Sequence, residues 1–194
     1  MKHSSLQTIR EEHASLAAML QSLRMMQKRG PGNDPQQYFD VLGAMLFYID
    51  EFPEKLHHTK ETTLLFPRVL KAAPHVADTV ERLDCDHHKS ETGVRELQHL
   101  LAAWELLGET RRKAFEDYCE RYIDAYMEHM KLEETVILPE AEKHLTDADW
   151  LELDSAFAQN TDPLNGKYAR DPVYDKLYSR IVSMAPAPIG LGQA

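Results

Sequence analysis

Apolar positions recur at helical spacing in four long segments separated by sharp breaks. The first carries Leu6, Ile9, His13, Leu16, Leu20 and Leu23 in alternating steps of three and four. Gly30-Pro31-Gly32-Asn33 ends it, and Asp34-Pro35 offers an N-cap and a first-turn proline for the second. The second is less regular because Pro53 interrupts it, yet Leu42, Leu46, Ile49, His57 and Glu61 stay near one face. A proline there is expected to kink the helix without ending it. After Ala73-Pro74 the third segment runs Val76, Val80, Leu83, His87, Ser90, Val94, Leu97, Leu101, Trp104 and stops at Gly108. The fourth carries Phe115, Tyr118, Tyr122, Tyr126, His129, Glu133 and Val136. No segment alternates in the way a strand would.

Stripes of this period face the middle of a bundle. With short connections between them they predict an all-α fold, an antiparallel up-down-up-down four-helix bundle over residues 1–145. Residues 146–194 read as a C-terminal helical appendage. Thr146, followed three residues later by Asp149, signals a short helix around Trp150–Ala158. Asp171-Pro172 would begin another near Val173–Ser183, and the tail APAPIGLGQA has no helical pattern. The appendage is expected to lie on the bundle or on a partner chain, and an exposed Trp150 region would favour a homodimer.

Composition narrows the class. With 28% charged and 43% hydrophobic residues in 194, the chain is globular rather than disordered. A net charge of −10 argues against a nucleic-acid surface. The start, MKHSSLQTIREEH, is too charged for a signal peptide, and no run of about 18 apolar residues would span a membrane. The two cysteines, Cys85 and Cys119, form neither a disulfide framework nor a CxxC motif, so a cytoplasmic location is expected. The ten histidines are the unusual feature.

His13, His87 and His129 fall in seams where leucine would be expected, and His57 falls on the fourth. Unpaired imidazoles and carboxylates at one level of a core cost several kcal/mol unless something satisfies them. A metal does so directly. An internal repeat sharpens the case. HHTKETTLLFPRVLK at 57–71 and HMKLEETVILPEAEK at 129–143 share His, Glu four later, Pro ten later and Lys fourteen later. His and Glu at i and i+4 project from one helix face. The alignment prefers His57 and turns His58 away by about 100°. EEHASLAAMLQSL and CDHHKSETGVREL likewise align His13 with His87 in preference to His88. The candidate donors are therefore His13, His57, Glu61, His87, His129 and Glu133. Glu91, four after His87, is either a seventh donor or a solvated carboxylate, and Glu134 is a weaker substitute for Glu133. Six donors exceed one tetrahedral zinc and suit two octahedral ions, iron first and manganese next.

The EEH ending at His13, the HHTKE with LFP after it, the CDHH and the EHMKLEE with LP after it resemble the hemerythrin-like, or HHE cation-binding, family over roughly residues 6–145. The resemblance implies a non-haem centre of two iron ions with an oxo or hydroxo bridge, Glu61 and Glu133 bridging and the histidines terminal. Oxygen-carrying hemerythrins use five histidines, including a His-x-x-x-His pair on the third helix; here Glu91 and Leu83 flank His87 at that spacing. The added negative charge argues against reversible dioxygen carriage. The expected function is binding or sensing of dioxygen, nitric oxide or peroxide. Iron delivery for repair of iron–sulfur clusters and a metal-free helical interaction module are the other readings. No phosphate loop, nucleophile motif or organic-substrate pocket is visible.

Around these residues, Tyr122 and Tyr126 are either hydrogen-bond donors to the centre or core aromatics. Cys85 reads as a packed small residue, and Met19, Met25, Met26, Met45, Met127 and Met130 read as core filler. Glu11, Glu12, Glu140 and Glu142 read as solvated, and His3, His75, His99 and His144 as surface residues.

Overall fold

The structure, a computed structural model, describes residues 3–160 and 174–192. Six helical rods account for nearly all of them, and no strand occurs among the described residues. Helix α1 is Ser4–Arg29. Rod α2 covers 35–72, α3 is Ala77–Leu107, and rod α4 covers 112–144. Helices α5, Asp147–Phe157, and α6, Asp175–Met184, follow. The first four form the expected all-α bundle.

The ends form as the punctuation requires. Asp34 accepts a hydrogen bond from the Gln37 N–H at 3.0 Å, and Pro35 occupies the first turn of α2. Gly30 and Gly108 close α1 and α3 at φ 72° and 85°, a region glycine enters without Cβ strain. Thr146 and Asp149 make a reciprocal capping box at the start of α5. The helix predicted near Val173–Ser183 is observed as Asp175–Met184; Asp171, Pro172 and Val173 lie outside the described residues.

Rods α2 and α4 are not uniform α-helix. Both contain π turns, Asp50–His57 and Glu61–Leu65 in α2 and Glu133–Ile137 in α4. The Phe66 N–H bonds to the Glu61 carbonyl and the Leu138 N–H to the Glu133 carbonyl, each an i→i+5 link. The next residue in each case is a proline, Pro67 or Pro139, which has no N–H and whose ring crowds the carbonyl four residues back. Widening the preceding turn relieves that crowding. Pro53 lies inside the other π turn and, as expected, does not end α2.

Apolar side chains gather in two clusters. The larger contains Leu20, Leu23, Leu42, Leu97, Trp104, Phe115 and their neighbours, and takes in Tyr178 and Ile181 of α6. The smaller joins Leu6, Ile9, Leu65, Phe66, Leu83, Ile137 and Leu138 to Trp150, Leu153 and Phe157 of α5. The appendage therefore lies on its own bundle. Trp150 is not exposed: it is buried at 3% and stacks on His3 with ring centroids 4.2 Å apart. The surface patch that would have favoured a homodimer is thus absent at Trp150. Met127 and Cys85 are also corrected: Met127, at 42% exposure, fills no core and Cys85 is exposed rather than packed, whereas Met19, Met26, Met45, Met130 and Cys119 are buried.

Removing a large buried aromatic costs the transfer energy plus the cavity it leaves. Trp150→Ala is expected to lower the unfolding free energy by roughly 3–5 kcal/mol, read by denaturant titration; a change within error would detach α5 from the core.

Candidate metal centre

Between the two apolar clusters lies a layer of buried imidazoles and carboxylates. Two groups of donor atoms converge there: His13, His57, Glu61 and Glu133, and His58, Glu61, His87 and His129. Glu61 belongs to both. Its Oε1 lies 2.7 Å from His57 Nε2 and its Oε2 lies 3.3 Å from His87 Nε2. Glu133 Oε2 lies 3.3 Å from His13 Nε2 and 4.0 Å from His129 Nε2. Both carboxylates are fully buried, and none of their four oxygens makes a hydrogen bond.

Most of these imidazoles are held from behind. His13 Nδ1 faces Glu134 at 2.9 Å, His57 Nδ1 faces Glu12 at 2.7 Å and His58 Nδ1 faces Glu54 at 2.9 Å. His87 Nδ1 lies 2.9 Å from Thr62 Oγ1, which donates to Asp84. When Nδ1–H donates outward, Nε2 keeps its lone pair for the interior. His13 and His57 then point Nε2 at Nε2 across 3.2 Å, as do His87 and His129. Two lone pairs at that range repel unless a proton or cation lies between them. Donors about 2.1 Å from a first-row ion sit about 3 Å from one another at neighbouring positions. Together with four orphaned carboxylate oxygens, these residues fit two metal ions sharing Glu61.

The electrostatics divide the layer. His13 is pushed up to about 9: burial opposes its charge, but the neighbouring carboxylates of Glu133 and Glu134 outweigh burial. His57 is also raised, because Glu61 and Glu12 overcome its burial. Burial and the neighbouring His87 push His58 well down and His129 to about 3. Burial and the adjacent Glu61 raise Glu133 to about 7.

The structure brings together six of the seven residues expected from the sequence: His13, His57, Glu61, His87, His129 and Glu133. It corrects two placements. Glu91 is half exposed and pairs with Arg95 at 2.8 Å, because α3 is regular there and Ser90 and Val94 take the inward arc. His58 faces inward, not away. The His58 N–H bonds to the Pro53 carbonyl in an i→i+5 turn, and adjacent side chains in such a turn diverge by less than 100°. His57 and His58 therefore both reach the layer, one on each side of Glu61. His88 is exposed, with Nδ1 on the Asp84 carbonyl at 2.9 Å.

Two partners were not legible. Glu12, expected in solvent, is buried and also accepts from Asn160 at 3.1 Å. Glu54 is buried under Ser90, His58 and Tyr122, and burial pushes its carboxyl up to about 8. Its spacing of four before His58 was the available signal. The Tyr126 hydroxyl lies 3.0 Å from His58 Nε2, so both tyrosines contact the centre's surroundings. At the far end of the bundle, His75 and His144 each lie 3.1 Å from Glu140, which is only partly exposed.

An antiparallel helical bundle with convergent imidazoles and carboxylates in its middle defines a cation-binding helical protein. The sequence profile of the hemerythrin HHE cation binding domain matches residues 4–141, and the chain belongs to that family. No curated relative matches it.

Proton competition gives one test. Metal must displace the proton that His13 retains up to about 9, so uptake releases protons and weakens as pH falls. Calorimetry in buffers of different ionisation enthalpy, with ferrous ion added to metal-free protein at pH 7, should show proton release; none would mean that His13 does not bind metal. A second test separates the corrected placements. Glu91→Ala should keep the metal content of the parent, whereas His58→Ala should lower it. Removing the outer carboxylate, Glu12→Ala, should weaken metal binding by roughly 10–100-fold in a chelator competition.

Proposed function

We propose that the chain holds two iron ions and binds a small diatomic ligand, dioxygen or nitric oxide, or peroxide, on the His13 and His57 side of the centre. In this reading His58, His87 and His129 hold one ion, His13 and His57 hold the other, and Glu61 and Glu133 complete the set. Seven nitrogen and oxygen donors without thiolate suit iron, with manganese second, better than a four-coordinate zinc. Such a centre supplies reversible one- and two-electron chemistry toward small oxidants.

The observation that carries the reading is the asymmetry of the two sides. The side with two imidazoles adjoins a cavity of about 20 Å³ lined by His13, His57, Leu16, Phe52, Pro53 and Leu56. A space that size holds one water-sized molecule. Its mostly apolar walls exclude bulk water from the bound ligand, while His13 and His57 are kept in orientation by Glu134 and Glu12. The inward turn of His58 brings the number of imidazoles to five, which removes the objection that the third helix lacks a second histidine.

Iron delivery is favoured less, since the donors are between 0% and 5% exposed and held from behind. A metal-free module would leave the carboxylate oxygens unsatisfied at a cost of several kcal/mol. Two unpaired cysteines, Cys85 and Cys119, accord with a reducing, cytoplasmic setting. Among the described residues no helix is long and apolar enough to cross a membrane.

Iron-loaded protein titrated with nitric oxide under argon should show a saturable change in its visible spectrum. Leu56→Phe, which fills the cavity and replaces no donor, should weaken that binding about tenfold, some 1.4 kcal/mol, with iron per chain unchanged. Unchanged affinity in Leu56→Phe would move the ligand site elsewhere, and no spectral response in the parent would sink the reading.

A further inference from the structure

A second, much larger cavity lies on the opposite side of the centre. It measures about 230 Å³ and opens between α3 and α4, reaching inward to His129. A diatomic ligand needs nothing of that size. A cavity of about 150 Å³ takes one benzene ring, so this one accommodates a single ring carrying a substituent.

Its lining has a definite chemistry. Tyr118, Tyr122 and Tyr126 stand on successive turns of α4, with the Tyr122 and Tyr126 rings 5.5 Å apart. Gly93 faces them from α3, and a Cβ there would come within 3.0 Å of the Tyr122 ring. Glycine in the interior of a 31-residue helix costs about 1 kcal/mol against alanine; here it lets an aromatic ring approach the backbone. The tyrosine hydroxyls at the inner end are already engaged, Tyr122 with Glu54 and Tyr126 with His58.

The rim carries the opposite sign to the chain as a whole. Lys89 and Arg121 line it, and only Asp86, 3.4 Å from Lys89, offsets them. Arg121 lies over the Tyr118 ring at 5.5 Å and pairs with no carboxylate among the described residues. In a chain of net charge −10, an unneutralised guanidinium at the mouth of an aromatic cavity is a recognition element for an anion. At the inner end, His129 is the one imidazole of the centre whose Nδ1 has no hydrogen-bond partner.

We propose that this cavity binds a single-ring aromatic carboxylate, its ring among Tyr118, Tyr122 and Tyr126 and its carboxylate on Arg121 and Lys89. The bound ring lies against His129, so the organic acid and the metal centre share one side chain. Nothing in this assignment requires a diatomic ligand on the other side.

The test is calorimetric titration of the iron-loaded protein with benzoate, and with benzyl alcohol as the neutral counterpart. Benzoate should bind once per chain, about tenfold or more tighter than benzyl alcohol. Arg121→Gln should weaken benzoate about tenfold, and Ala125→Trp, which fills the cavity from an exposed position on α4, should abolish binding. Iron per chain should stay unchanged in both. A His13→Ala variant should keep benzoate binding even where it loses the response to nitric oxide, which separates the two sites. Failure of benzoate to bind, equal binding by Ala125→Trp, or equal affinity for benzyl alcohol would each overturn the proposal.

Discussion

The structure depends on a single constraint: a layer of charged and polar donors has been buried where a bundle would normally place leucine. Glu61 and Glu133 have no exposure and no hydrogen bonds, and paired imidazole nitrogens confront each other at 3.2 Å. Burial of that kind is unfavourable by several kcal/mol per group unless a cation neutralises it. The rest of the layer follows from the need to make such a cation fit. Glu12, Glu54, Glu134 and Thr62 turn four imidazoles by holding Nδ1 from behind. Bulk apolar packing above and below keeps water from competing.

The means by which two helices supply several donors each is a departure from α geometry. A regular helix offers one inward residue about every 3.6 positions. The π turns around His57 and Glu61 place His57, His58 and Glu61 on the inward side of one rod, and Glu133 begins the equivalent turn in α4. The prolines at the same offset in both repeats are the local cause of the second pair of turns. In the sequence they mark the internal repeat, and in the fold they act as turn wideners.

Much of the layer was legible because periodicity and repeat spacing are robust signals. Four seam histidines and two His-x-x-x-Glu elements mark one level of a bundle whatever the details of the turns. His58 and Glu91 differ from expectation for different reasons. A rotation of about 100° per residue fails at the π turn of α2 that turns His58 inward. Helix α3 is regular, and Glu91, although four residues from His87, lies off the inward arc taken by Ser90 and Val94. Glu12 and Glu54 escaped notice because a lone acid in an amphipathic helix reads as a solvated face; only tertiary contact shows that it sits behind an imidazole. Trp150 was placed outside because nothing local distinguishes a helix that packs back on its own bundle from one that packs on a neighbour.

The position of the layer between two separate apolar clusters has a consequence for how the molecule comes apart. Each cluster is a candidate for opening on its own, and the donors form the seam along which they meet. A ligand that binds only the assembled seam stabilises it by RT ln(1 + [L]/Kd), about 4 kcal/mol at a thousandfold excess over Kd. Metal therefore acts as a rivet between two halves. Without a bound cation the seam is the part of the molecule that loosens first, ahead of either apolar cluster.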